Sequence, residues 1–483
     1  MNRPIRVLAV VCGVMFLALL LNVNYVQFLQ AAELNARDGN RRVIDEEFSR
    51  ERGPILVAGR PAAESVPSDD DYDFQRRYPS PRLYFNLTGY YSYEFGAEDL
   101  ENSQNSILSG SDPRLFVNRV VDLLGSRQPS GGSIALTIDR AAQQAALNGL
   151  SALGDDVQGA VVALEPSTGA ILAMVSRPSY DPNRLASHDL EAARKARLQV
   201  LEAPGDPLLD RSRENTYAPG STFKVVTAAA ALSSGKYAPD TLVKGGPVLD
   251  LPETTDDLTN DTDCPSQVTL TTALALSCNV SFGEVGLDLG DDALREQAEA
   301  FGFGDDSYLD ELPQVASRFP DDPAPPQVAQ SAIGQFDVAA TPLQMAMVAA
   351  GVANDGTVMK PYLVDKVYSP DIELLEDHDP EELHQAISSG VATQLTQMMV
   401  EVVTNGTASS AQIPGVEVAA KTGTAERSEE LAPYAWFVSF APADDPEVAV
   451  AVFVENPNVP RELISGGGLA GPIAKSVMES VIG

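Results

Sequence analysis

The sequence predicts an α+β fold: an antiparallel five-stranded sheet flanked by helices, with an all-helical lobe inserted into it. A small pedestal domain and one transmembrane helix precede that unit. Three observations point there. Two apolar runs, 159–165 and 170–176, flank Pro166-Ser167-Thr168-Gly169, which is a hairpin signal. Three more strand-like runs, 416–425, 434–442 and 447–456, lie near the end, followed by an amphipathic helix at 471–482. Between the two groups, 180–410 reads as mostly helical, with Pro- and Asp-rich loops at 304–327 and 369–382. Strands from both ends then share one sheet, and the cleft between its edge and the helical lobe is a natural site.

Taken from the start, residues 7–32 hold no charge, and Val7–Leu21 is the most apolar part. About 20 such residues span a bilayer. Arg3 and Arg6 precede the run, and the next basic residue is Arg37. That asymmetry predicts a cytoplasmic tail over 1–6, an anchor over 7–29 and everything later outside the cell. A cleaved signal peptide is the competing reading; its cleavage site has only weak candidates, such as "LQA" at 29–31. The expected pedestal covers 30–135, rich in Arg, Asp, Ser, Tyr and Pro, with short strands and turns. Ile134, Leu136 and Ile138 then alternate like a strand, and Asp139 caps a helix through Leu150. The second domain is predicted from 136 to 483.

Composition excludes several functions. The 483 residues carry 33 Lys+Arg against 68 Asp+Glu, a net charge of −35, which disfavours nucleic acid. The three histidines, His188, His378 and His384, sit in polar, acidic surroundings. No His/Cys ligand pattern occurs, so neither a metal nor a cofactor is expected, and a histidine-based triad is disfavoured. Cys264 and Cys278 lie 14 apart in a segment placed outside the cell, where a disulfide persists; two separate small buried residues are the alternative.

The chemistry concentrates in "PGSTFKVVTAAAAL", 219–232. Pro219-Gly220 reads as a turn into a helix, with Ser221 in its first turn and Lys224 at i+3 on the same face. Apolar neighbours predict burial of Lys224, which drives an amine towards neutrality. A neutral amine beside a hydroxyl can take its proton, an activated nucleophile that needs no histidine. S-x-x-K alone is weak: Ser233–Lys236 repeats it, there with the look of a helix C-cap and a solvated lysine. Ser277-x-Asn279 is weak too. "KTGTA" at 421–425 is more specific; it occurs once, ends a candidate strand and uses one of eight lysines. Gly423 permits close approach of a ligand, and Lys421 suits a carboxylate substrate.

In the order S-x-x-K, S-x-N, K-T-G, the three motifs form a known signature. From Leu136 onwards the chain resembles the transpeptidase domain of class B penicillin-binding proteins. "LTIDRAAQQAA", "YAPGSTFKVVTAAAAL", "LALSCNVSF", "IGQFDVAATPLQMA" and "AAKTGTAE" follow that family's order, and "RGPIL" at 52–56 fits its architecture. The resemblance implies a D,D-transpeptidase acting on D-Ala-D-Ala stem peptides of peptidoglycan and acylated by β-lactams. It implies Ser221 as nucleophile, Lys224 as base, Ser277 as proton relay, Asn279 as a holder of substrate amide or of Lys224, and Lys421 as electrostatic support. Thr422, Gly423 and Thr424 would bind the substrate, with the N–H groups of Ser221 and Thr424 as oxyanion hole. The pedestal is too short for a glycosyltransferase, so a SEDS-family glycan polymerase is the implied partner. A membrane-anchored β-lactamase or D,D-carboxypeptidase, and a non-catalytic β-lactam-binding scaffold, stand as alternatives.

Overall fold

The computed structural model describes residues 2–26, 30, 45, 47–70, 72–115, 130–427, 431–457 and 459–483. Residues 27–29 of the predicted anchor, Arg37, and positions 29 and 31 of the cleavage-site candidate lie outside these. The chain begins with a helix, Asn2–Asn24, whose side chains from Arg3 onward are exposed. At 1.5 Å per residue it reaches about 35 Å, and among the described residues it is the one helix long and apolar enough to cross a membrane.

The predicted five-stranded antiparallel sheet is present. Its order is Ala419–Ala425, Tyr434–Ala441, Val448–Asn456, Gln158–Leu164 and Ile171–Arg177. The two sequence-distant groups meet where Val448–Asn456 pairs with Gln158–Leu164. Nearly every position of the central strands is buried, which means both faces are covered. The helices Gly471–Ile482 and Arg140–Ser151 pack on one another and on the sheet. Asp139 caps the latter by accepting from the Ala142 N–H at 2.8 Å. Pro342–Ala353, buried on nearly every side, lies against the middle strands, and Ser389–Thr404 against the edge strand Ala419–Ala425.

The helical lobe holds Lys224–Ser233, Leu270–Leu276, Asn279–Leu289 and Asp291–Ala300. It also carries two short ribbons, Val248–Asp250 with Asp257–Thr259 and Leu242–Lys244 with Gln267–Thr269. Three-residue strands show no period in sequence; they form because their partners are brought beside them.

The pedestal is built on a six-stranded sheet to which the later chain contributes. Its order is Leu374–Asp377, Val364–Tyr368, Ser133–Leu136, Ile55–Val57, Arg60–Pro67 and Phe74–Arg77. Two strands thus come from the segment read as helix and loop, and the predicted 135/136 boundary falls inside a third. Beneath the sheet, fully buried Glu101 accepts from Arg52 and Arg76 at 2.6 Å each and from the Tyr78 hydroxyl at 3.1 Å. Burial alone would raise its pKa, yet the two guanidiniums outweigh burial and hold it below the usual carboxylate value.

Candidate active site

Gly220–Phe223 forms a 3₁₀ turn that runs directly into the helix Lys224–Ser233. Residues i and i+3 eclipse in such a turn, so Ser221 and Lys224 share a side. The turn is held from two sides: the Gly220 N–H donates to Gly334 O, in the turn after the helix Pro325–Ser331, at 2.9 Å, and Trp436 Nε1, from the sheet, donates to Ala218 O at 2.9 Å. Gly220 has φ +53°, and a Cβ there would stand 2.9 Å from Thr424 O. Only glycine lets this turn lie so close to the 419–425 strand.

Ser277 ends the helix Leu270–Leu276 in a left-handed conformation, φ 60°, and Asn279 opens the next helix. That elbow directs both side chains to the Lys224 amine. Lys224 Nζ donates to Ser277 O at 2.8 Å and to Asn279 Oδ1 at 2.7 Å, and lies 3.2 Å from Ser277 Oγ. Lys421, on the edge strand, places its Nζ 2.9 Å from the same Ser277 Oγ and 2.8 Å from Thr422 O. One hydroxyl therefore bridges two lysines, both with no exposed surface.

Two ammonium groups cannot share so dry a spot cheaply. Burial first, and then the neighbouring Lys421 charge, drive Lys224 well below its ordinary pKa, while Asp261 pulls weakly the other way. Burial lowers Lys421 to about 7. A neutral Lys224 has two N–H donors, matched by Ser277 O and Asn279 Oδ1, and keeps a lone pair for a hydroxyl proton.

Above the lysines opens a cleft of about 420 Å³ in which Ser221, Ser277, Thr422 and Thr424 face one space. Ser221 is 9% exposed, enough for attack on a bound group. Because Ala419–Ala425 is an edge strand, alternate N–H groups on its free side point outward. Thr422 Oγ1 is held 2.6 Å from Thr407 Oγ1. A larger cavity, about 590 Å³, lies at the other end of the Ser389–Thr404 helix beside Asp355, Gln397 and Asp445. It contains none of the motif residues, so chemistry and not volume marks the smaller cleft.

Of the predicted site residues, Ser221, Ser277, Thr422 and Thr424 line this cleft, with Gly423 between the two threonines, and Lys224, Asn279 and Lys421 are hydrogen-bonded together with Ser277 behind it; Cys264 and Cys278 do not line it and are bonded sulfur to sulfur with Cα atoms 6.1 Å apart. Lys224 hydrogen-bonds to Ser277 and Asn279 rather than to Ser221. Lys421 is fully buried and is not part of the cleft wall. The repeat lysine, Lys236, is exposed and paired with Asp288 at 3.4 Å. The histidines are elsewhere: His188 meets Asp70 at 2.6 Å, His378 stacks on Tyr362, and His384 lies in the ribbon Glu382–Gln385. Sequence reading missed Asp261, Thr407 and the Ser465–Gly468 wall. The glycine run at 466–468 was the available signal; a Cβ on Gly466 would come 2.1 Å from Trp436 O. Among the described residues no acidic or His/Cys group is arranged to hold a metal.

The family model described as penicillin binding protein transpeptidase domain matches residues 159–479, and that of the penicillin binding protein A dimerisation domain matches 52–134. The peptidoglycan D,D-transpeptidase PbpA of Mycolicibacterium smegmatis is 42% identical over 100% of this chain and 99% of its own length. Its Mycobacterium tuberculosis counterpart is 41% identical over 100% of the chain and 99% of its own. Penicillin-binding protein A from M. tuberculosis, solved as a ceftriaxone acyl-enzyme, superposes with TM-score 0.87 at 40% identity, over 91% of this chain and 100% of that one.

Proposed function

The chain belongs to the penicillin-binding protein transpeptidase family and is a peptidoglycan D,D-transpeptidase; on that premise we propose that Ser221 is the residue it acylates. The observation that carries this is the buried amine of Lys224, fixed by Ser277 and Asn279 at the floor of the cleft that Ser221 lines.

Lys224, neutral, takes the Ser221 hydroxyl proton as Oγ attacks the penultimate D-alanine carbonyl of a stem peptide. The N–H groups of Ser221 and Thr424 receive the oxyanion, where one donor is worth about 3–4 kcal/mol. Ser277, bridging the two lysines, passes the proton to the departing D-alanine amine. Thr422 and Thr424 bind the terminal carboxylate, Gly423 keeps the strand close, and Lys421 supplies charge from below. An amine of a second stem peptide then displaces Ser221 and completes the cross-link. β-Lactams present the same acyl group and stall as the ester.

We further propose that 7–29 anchors the chain with residues 1–6 in the cytoplasm, that 30–135 is the pedestal and 136–483 the catalytic domain. Arg3 and Arg6 before the apolar run support that orientation. A SEDS-family glycan polymerase is the proposed partner, since a cross-linker needs glycan strands made elsewhere. The test of the reaction is mass spectrometry of the penicillin-treated protein. An adduct on Ser221 that vanishes in Ser221→Ala supports the assignment; an adduct on another residue overturns it.

A further inference from the structure

The walls of the cleft are hydroxyls and glycines, and one lining residue, Asp261, carries a charge. Both lysines stay beneath the surface, so the side chain facing solvent and substrate with a full charge is this carboxylate. Its loop is fastened on every side. Asn279 Nδ2 donates to Thr259 O at 2.9 Å, and the Val280 N–H donates to Asn260 Oδ1 at 3.0 Å. Thr262 Oγ1 donates to Leu276 O at 2.8 Å, and Cys264 is bonded to Cys278. Asp261 itself has one long contact, 3.4 Å from Asn279 Nδ2. A carboxylate accepts about four hydrogen bonds, so most of its capacity faces the cleft.

The reaction explains why one carboxylate belongs there. The donor half needs hydroxyls and N–H groups for a peptide and its carboxylate, and the cleft supplies them. The acceptor half arrives as a primary amine, which is mostly an ammonium ion at neutral pH because free amines have pKa values of about 8 to 10. Water, the competing nucleophile, carries no charge to recognise. Building on the transpeptidase reading above, we propose that Asp261 binds the acceptor, a primary ammonium on the second stem peptide, and holds it beside the Ser221 ester. The ammonium releases one proton to solvent at the exposed rim. The free amine attacks the acyl carbon; a C–N bond forms, the C–Oγ bond breaks, and a proton from the attacking nitrogen returns through Lys224 to Ser221 Oγ.

The experiment uses full-length protein in detergent, a thioester donor, and a primary-amine acceptor, with hydrolysis measured alongside. In Asp261→Asn the acceptor KM rises at least tenfold and product shifts towards hydrolysis. Penicillin acylation stays within twofold, and hydroxylamine, a neutral nucleophile at pH 7.5, reacts as in the wild type. Asp261→Glu keeps the acceptor KM within about threefold. Asp263→Asn, the same charge change two residues away on an exposed site, leaves all rates unaltered. An unchanged acceptor KM in Asp261→Asn overturns the proposal. So does a parallel fall in acylation and aminolysis, which would assign Asp261 to Lys224 through Asn279. Failure of the parent reading shows separately, as wild-type protein that penicillin does not acylate on Ser221.

Discussion

Replacing Lys224 by methionine nearly keeps its volume and removes its amine. In the folded protein that amine satisfies Ser277 O at 2.8 Å and Asn279 Oδ1 at 2.7 Å, with no exposed surface. Leaving two buried acceptors unpaired costs about 1–3 kcal/mol each, partly offset because an amine is no longer desolvated. Stability therefore falls by roughly 2 kcal/mol, and melting moves down by several degrees while the fold survives. The rate responds far more. A positioned general base contributes about 10²–10⁴-fold, so acylation by fluorescent penicillin falls by about 10³ at neutral pH. The assay is the second-order labelling rate, with a thermal melt of the same sample to show that it is folded. Labelling within tenfold of wild type, in a folded variant, would refute the assignment of Lys224 as base.

Ser277→Ala removes the hydroxyl that bridges the two amines at 3.2 and 2.9 Å. Acylation is expected to fall about 10²-fold with little change in melting, read in the same labelling assay. The pH dependence has two limbs: kcat/KM for acylation rises with pH as Lys224 loses its proton, and falls as Lys421 loses its charge at about 7. Lys421→Arg, which stays charged, should abolish the falling limb. Glu101→Gln breaks the pair with Arg52 and Arg76 and should cost about 3–5 kcal/mol at pH 7 by chemical denaturation. Because the folded pKa of Glu101 is depressed, its contribution is full above about pH 4.3, the unfolded value, and the gap to the variant closes as pH falls further. Full-length protein should show one titratable thiol, Cys12, before reduction and three after, since Cys264 and Cys278 are bridged.

Local pattern made much of this legible. The runs 159–165 and 434–442 are apolar at both parities because both faces of their sheet are covered, and so they read as strands. Asp139 and the apolar stretch after Ser221 carry their own start signals. The three motifs could be ordered, but their convergence on Ser277 Oγ depends on contacts more than fifty residues apart in sequence. What stayed hidden was non-local. Val364–Tyr368 is a strand because Ser133–Leu136 offers it an edge, a partner no local window contains. Asp261 lies in a polar, acidic stretch that carries none of the three motifs; only the fold brings it into the cleft that Ser221 lines. Lys421 was legible as a positive charge, but its full burial behind Ser277 depends on the fold and could not be seen from its neighbours Ala420 and Thr422.

The protonation state of Lys224 can be observed without any substrate. Lysine labelled with ¹⁵N at Nζ, assigned by comparison with Lys224→Arg, reports ammonium and amine at distinct shifts across a pH titration. An uncharged Lys224 nitrogen at pH 7.5 is the result required here; a signal that stays ammonium up to pH 10 would contradict the whole scheme of proton transfer from Ser221.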